Sequence, residues 1–387
     1  MTRLVPLGEI VVPAPVERSG DTELPVLSMT RASGLVPQEQ VFRKRVASRD
    51  LASYKVVRSG QLVVGIHIDE GAIGMSGPNV LGVVSPAYTI WDLRRKVAVD
   101  PSYLDRFLRS PRAISYFIGH YRRTADRRGK LTREQFLALE VPLPPIEEQS
   151  RIAGVLDAAD ALRAKRRQAL ATLDTLSQAI FIDMFGSPGV NPNGFPVAPM
   201  IDLVDPERPI TYGILKPGED FPGGVRYVRV VDMVDGSIDP AGLRRTTPDI
   251  SARYRRSILR SGDLLLSIRG HVGRLAIVQS EVSGANITQD TARLAITGAE
   301  PTYVLECLRS VEIQRWMAVF TKGAAVRGIN LTDVKKIPIP LPPPAEQERL
   351  ARLVARIASK SAAHRTSQTR LETLFVSLQQ RAFRGEL

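Results

Sequence analysis

The sequence predicts an α+β protein built twice. Two globular domains, each a curved and mostly antiparallel sheet with one or two helices, are separated by two long antiparallel α-helices. The helices form a coiled-coil rod, and the whole is a pseudo-twofold internal repeat. Three observations carry this reading. VPLPPIEEQSRIAGVL, from Val141, returns as IPLPPPAEQERLARLV from Ile339. PSYLDRFLRS from Pro101 returns as PTYVLECLRS from Pro301, and VVRSGQLVV from Val56 returns as ILRSGDLLL from Ile258. The three echoes keep their order at nearly constant offsets, as duplicated domains with small loop insertions would.

The long helices are the best-defined elements. From Glu147 to about Met184, apolar residues recur at three-four spacing: Ile152, Val155, Leu156, Ala159, Leu162, Ala169, Leu173, Leu176, Ile180 and Met184. From Ala345 to about Phe383 the stripe reads Leu350, Leu353, Val354, Ile357, Leu371, Leu374, Phe375, Leu378 and Ala382. Each has a polar middle, RAKRRQ in the first and SAAHRT in the second. A lone amphipathic helix needs a partner, and the obvious one is the other copy. The candidate rod interface is Ile152, Leu156, Leu173 and Ile180 against Leu350, Ile357, Leu371 and Leu378.

Direction follows from reach. A helix of about 38 residues runs roughly 57 Å at 1.5 Å per residue. The dozen or so residues from Ser187 to Ala198 span at most ~40 Å, too short to return along it. The second helix therefore runs back antiparallel. The domains are then residues 1–140 and 187–338. Residues 141–186 and 339–387 are the proline hinges with their helices.

Within the globular halves, VRYVRVVDMVDGSI from Val225, GDLLLSIRGHVGRLAIV from Gly262 and GQLVVGIHI from Gly60 read as strands with glycine-containing turns. The run from Tyr303 to Phe320 reads as one helix of about eighteen residues, and the run from Pro101 to Tyr121 as helix broken at Pro111.

Composition bounds the function. A chain of 387 residues with 43% apolar content can bury two cores. No signal peptide is evident and no apolar run reaches about 18 residues, so no membrane partner is expected. A single cysteine, Cys307, excludes an intramolecular disulfide and fits a reducing cytoplasm. The 53 basic residues exceed the 40 acidic ones by 13. Such a field attracts polyanions, nucleic acid first, although an acidic protein partner would also fit.

Nothing in the sequence reads as catalytic. His67, His120, His271 and His364 lie far apart without metal-ligand spacing, so no metal site is expected. There is no Walker loop and no Gly-x-Ser-x-Gly elbow. The Asn-Pro at 191 runs NPNG, without the aromatic of an adenine methyltransferase motif. Pairing Asp249 with Asp333 and Lys335 as a nuclease centre rests on an arbitrary spacing. Basic, turn-rich segments are more informative. YRRTADRRGKLTR offers Tyr121, Arg122, Arg123, Arg127, Arg128 and Lys130. LRRTTPDISARYRRSILR from Leu243 carries six arginines. SIRGHVGR sets Arg269, His271 and Arg274 around two glycines, where backbone could approach a phosphate. SGANITQD offers Asn286, Gln289 and Asp290, side chains able to read base edges, with turn and capping roles as the alternative.

The repeated Pro-Leu-Pro-Pro-x-x-x-Gln phrase with its long helix resembles the specificity subunit of type I restriction-modification systems. AIFIDMFGSPGVNPNGFPVAPM, ITYGIL, VRYVRVVDM, SIRGHVGRLAIV and KGAAVRGINLTDVKKIPIPLPPPAEQ resemble that family's helix junction and second target-recognition domain. These stretches add Tyr212, Arg229, Lys322 and Arg327 to the DNA-binding candidates. The first half departs from the pattern, lacking a clear Tyr-Gly pair and the Arg-Gly-x-x-Gly-Arg turn. The resemblance implies a non-catalytic subunit that reads a split target in double-stranded DNA. It also implies two modification subunits, which methylate adenine with S-adenosylmethionine, and restriction subunits that use ATP and magnesium. No cofactor is then expected in this chain. A specificity subunit of a methylation-only or other phage-defence system fits equally, while a stand-alone methyltransferase or nuclease and a structural adaptor are the competing classes.

Overall fold

The computed structural model describes residues 2–30, 34–42, 50–121, 131–234, 236–323 and 326–387. The chain divides into two compact units, Met1–Arg166 with Ser367–Leu387, and Arg167–Thr366. The helices Ile146–Phe185 and Pro344–Ala382 are each shared between the units. Both units therefore draw on both long helices. Each unit holds the start of one long helix and the end of the other in its own core.

The first unit is built on a four-stranded antiparallel sheet in the order 11–13, 89–93, 62–64, 73–75. The second repeats that plan with 211–212, 291–294, 264–267 and 275–277. Smaller ladders flank both, among them Val225–Val228 between Arg244–Thr246 and Asn286–Ile287. Paired helices cover each sheet: Pro101–Leu108 and Pro111–Tyr121 in the first unit, Pro301–Arg309 and Val311–Phe320 in the second.

The proline phrases are strands before they are helix starts. Glu140–Leu143 pairs antiparallel with Arg3–Pro6, and Pro338–Pro340 with Val197–Pro199. A two-stranded ladder tolerates proline because each strand has an unpaired side. The helix then opens at Ile146, just past the prolines, in the first phrase and on Pro344, the last of them, in the second, with Glu147 and Glu148, or Glu346, in its first turn, where the helix dipole favours them.

The glutamine of each phrase is buried and ties it to the neighbouring echo. The Gln149 side-chain oxygen accepts from the Asp100 amide (2.9 Å), and its nitrogen donates to the carbonyls of Pro144 (2.9 Å) and Ala98 (3.2 Å). Gln347 accepts from the Glu300 amide (2.9 Å) and donates to Pro342 (2.8 Å). Asp100 and Glu300 are themselves N-caps of the helices that follow. Tyr103 donates its hydroxyl to the Pro142 carbonyl and Tyr303 to that of Pro340, both at 2.6 Å. Burial pushes both phenols well above the usual tyrosine range, so each stays a donor. The end of the other long helix closes the arrangement: Phe383 packs edge-on against Tyr103 and Phe107, and Phe185 against Tyr303.

Several expectations need correction. Tyr303–Phe320 is two helices, interrupted at Ser310, whose hydroxyl accepts from the Ile313 amide as an N-cap. The VRYVRVVDMVDGSI run is a strand only over its first residues. It then turns through Val230–Asp232 into the short strands Met233–Val234 and Ser237–Ile238. Of the helix stripe, Ile152, Leu156 and Leu350 are buried, and Ile180 and Leu378 pack against the cores. Leu173, Ile357 and Leu371 are half-buried. Leu162 is 57% exposed and Leu374 52%, so the outer apolar positions do not face a core. In the polar middle of the first helix, Arg163 bridges Asp160 and Glu372 and lies over the Phe375 ring at 4.1 Å.

Gln149→Ala and Gln347→Ala each strand a buried amide and at least one carbonyl, costing about 1–3 kcal/mol. Each substitution should lower the midpoint of denaturant unfolding, and an unchanged midpoint would show that the clasp carries no stability.

Candidate nucleic-acid interface

Three loops of the second unit meet around a surface cleft of about 600 Å³. One carries Tyr212, the second is the hairpin turn 268–274 with Arg269, and the third is 322–328 with Lys322. Gln289 and Asp290 also line the cleft.

Each loop is fixed by its backbone. Tyr212 ends an edge strand and is 44% exposed. Gly213 behind it lies so close to strand 286–287 that an added Cβ would sit 1.9 Å from the Ile287 carbonyl oxygen. Only glycine allows that approach, and the following Ile214 amide then bonds Ile287 at 2.7 Å. The hairpin closes through Ser267 N to Arg274 O (2.8 Å) and Gly273 N to Ser267 O (3.0 Å). Its Gly273, at φ +95°, accepts from the Gln314 amide nitrogen (3.1 Å), which also bonds the Leu308 carbonyl (2.8 Å). The third loop closes by a reciprocal pair, Lys322 N to Gly328 O (2.9 Å) and Gly328 N to Lys322 O (2.8 Å). Gly270 N to Arg327 O (2.9 Å) and Ile329 N to Ile268 O (2.9 Å) join it to the hairpin. Side chains at the cleft are thus held on a braced backbone, which lowers the entropic cost of engaging a ligand.

The structure sorts the candidates by whether their polar atoms are free. Arg269, Lys322 and Arg327 are exposed, and their side chains have no hydrogen bond or ion pair among the described residues. His271 is exposed at the hairpin tip. Arg274 is exposed but donates to the Val230 carbonyl (3.3 Å). Arg229 forks onto Asp232 (3.0 and 2.6 Å) and reaches Gly242, and that pairing raises its pKa; it serves the local turn.

Asn286 is 0% exposed: its oxygen accepts from Ser257 (2.7 Å) and its nitrogen donates to Ser251 (3.2 Å). It clamps helix Pro248–Arg253 to the sheet and cannot reach a base. The Gln289 side-chain amide faces the carbonyls of Ile214 (2.7 Å) and Leu215 (2.6 Å), which assigns its nitrogen to that side as a brace for the Tyr212 loop. Of the first-half segment, Arg122, Arg123, Arg127, Arg128 and Lys130 lie outside the described residues. Tyr121 ends helix Pro111–Tyr121.

The sequence reading missed the first unit's counterpart of the hairpin. Strands 62–64 and 73–75 occupy the places of 264–267 and 275–277, and extending the GQLVV/GDLLL echo by three residues aligns His67 with Arg269. That loop, 65–72, exposes His67 and the apolar Ile66 (54%). Among the described residues no His, Cys, Asp and Glu cluster could hold a metal, and no helix is long and apolar enough to cross a membrane.

The second unit thus presents exposed cations and an aromatic on braced loops around one cleft. Residues 214–373 match the family described as the type I restriction modification DNA specificity domain. Over 276 residues the chain is 28% identical to the type I restriction enzyme EcoBI specificity subunit of Escherichia coli, a stretch covering 64% of this chain and 58% of that relative. A structure described under complex assembly and conformational transition of the type I R-M system shares the fold at TM-score 0.59 and 20% identity, covering 100% of this chain and 98% of that one. The S subunit of a type I restriction-modification system from M. genitalium does so at TM-score 0.55 and 12% identity, covering 99% and 96%. Residues 214–373 are thus similar to the DNA specificity domain of type I restriction-modification systems, and the chain as a whole shares the fold of those structures.

Gly213→Ala should force the Tyr212 loop off the sheet and destabilise the second unit by about 1–3 kcal/mol, the usual range for overpacking. A drop in thermal midpoint together with weaker duplex binding is the expected result, and a fully stable variant would contradict the close approach.

Proposed function

We propose that the chain is the non-catalytic DNA-recognition subunit of a type I restriction-modification complex. Each unit reads one half of a split target in double-stranded DNA, and partner subunits methylate adenine and cut. The single observation that carries this reading is the cleft of the second unit, where Arg269, Lys322 and Tyr212 project from loops locked by backbone bonds. Phosphate contacts from such cations supply affinity and orientation, while groups reaching base edges supply sequence.

The repeat supports the bipartite part of the proposal. One sheet plan built twice gives two readers of the same frame but different loop chemistry. Two long helices of 40 and 39 residues, one beginning and the other ending in each unit, are suited to set the distance between half-sites. The spacer between them would then be unread and of fixed length, near the ~34–36 Å turn of DNA. S-adenosylmethionine, ATP and magnesium belong to the partners in this scheme, and modification and restriction subunits would dock on this chain.

Mapping methylated adenine in genomes with and without the gene tests the proposal. A bipartite motif with a fixed gap should vanish when the gene is removed. Exchanging residues 1–140 for those of a relative should change one half of that motif alone. No motif, or one that changes in both halves, would refute the modular reading.

A further inference from the structure

The charge arrangement in the cleft contains an anomaly. Asp290 lines it together with Arg269 and Lys322. Its backbone carbonyl accepts from the Ile268 amide (2.8 Å), which places it at the end of the strand adjoining the one that delivers Arg269. Its carboxylate has no hydrogen bond or ion pair among the described residues. The nearby acids of this unit are used differently: Asp263 holds Arg208 (2.7 Å) and Asp232 holds Arg229 (2.6 Å). A surface that served only to grip phosphate would gain nothing from a free carboxylate beside its cations, because like charge repels the backbone it must approach. An acceptor-only group becomes favourable in such a place when the DNA offers it a donor. On the major-groove edge the donors are the exocyclic amino groups, cytosine N4 and adenine N6.

We propose that Asp290 is a base-reading residue of the second unit, accepting a hydrogen bond from an exocyclic amino group in the major groove. Arg269, from the neighbouring strand end, donates to the acceptors of an adjacent base edge, guanine O6 and N7. The inference rests on the DNA-recognition reading above. It goes beyond that reading in naming the atom class recognised and the carboxylate that does it. A carboxylate suits cytosine, which shows a lone amino donor, whereas adenine pairs its amino donor with the N7 acceptor and suits a side-chain amide. Asp290→Asn therefore carries a sign: it should move preference at one position from cytosine towards adenine. Asp290→Ala should flatten preference there.

The test is selection from a randomised duplex library with the full chain co-purified with its modification subunits, comparing wild type, D290N and D290A. The expected result is a split wild-type motif in which one position of one half changes preference by about tenfold or more, the scale of a lost base contact. The other half should be unaltered, which also reports that the variants fold. A wild-type motif that D290N leaves unchanged at every position overturns the Asp290 inference alone. So does uniformly tighter binding, which would make the carboxylate a mere repulsive charge. Weaker binding with the same base preferences would mark a structural role and overturn it too. A wild type that selects no motif overturns the DNA-recognition reading and the inference with it. A preference that was for adenine in the wild type and is weakened by both variants assigns the adenine amino group instead.

Discussion

The rest of each unit depends on one buried side-chain amide. Gln149 and Gln347 each sit where a strand ends, a long helix begins and a second helix starts beside them. From the first turn of the long helix, one amide satisfies a carbonyl just past the strand and the amide at the start of the second helix. A helix start leaves amides without intrahelical partners, and burying them unpaired would cost more than most contacts return. The glutamine supplies the acceptor for Asp100 N or Glu300 N from outside the helix. It thereby fixes the angle between the proline strand and the helix that covers the sheet. In the second unit the path continues outward. That helix packs against strand 275–277, and Gln314 on the next helix holds Gly273 in the hairpin that carries Arg269. In the first unit Asp105 reaches the same hairpin strand by accepting from the Met75 amide (2.8 Å). The loops can therefore vary while their placement is set from below.

The basic charge of the chain is only partly available for DNA. Arg208 is spent on Asp263, Arg229 on Asp232, and Arg106 on Asp157 and Asp160. Arg293 is 1% exposed and donates to the carbonyls of Arg208, Pro209 and Arg256. Burial pulls its pKa down from the usual guanidinium range, which measures the cost of keeping a cation there. A buried arginine with a planar fork can tie three turns that a lysine could not. The turns it ties lead into the Tyr212 strand and the Arg-rich segment, so an internal cation holds external ones in place.

The sequence made the repeat legible because the clasp consists of local words: a proline run, a Glu-Gln pair, a Pro-x-Tyr helix start. That these words touch one another was not legible, since Gln149 and Asp100 are far apart along the chain. Helical periodicity located both long helices, yet it assigned Leu162 and Leu374 to a buried stripe that they do not join. Periodicity records which residues share a face and is silent on where along a helix the neighbour stops. Tyr303–Phe320 was misread for a related reason. Ser310 is an ordinary polar residue within an apolar run, and its capping role exists only once the chain turns there. Asn286 shows the limit for sites, because residue type offered base reading while burial against Ser251 and Ser257 assigned it to the frame.

The two corresponding hairpins show how such a frame permits different turns. Both close by the same backbone device, Gly65 N to Ala72 O (2.7 Å) in the first unit and Ser267 N to Arg274 O (2.8 Å) in the second. The bond is indifferent to side chains, so the residues between are free to differ. They do: Ile66, His67, Asp69 and Glu70 stand in one turn, and Arg269 and His271 in the other. Side chains hold the frame at Gln149, Tyr103, Gln347 and Tyr303, and backbone bonds, joined in the second unit by the side chains of Ser267 and Gln314, hold the loops. That bracing leaves the exposed positions of each turn free to differ between the two copies of the fold.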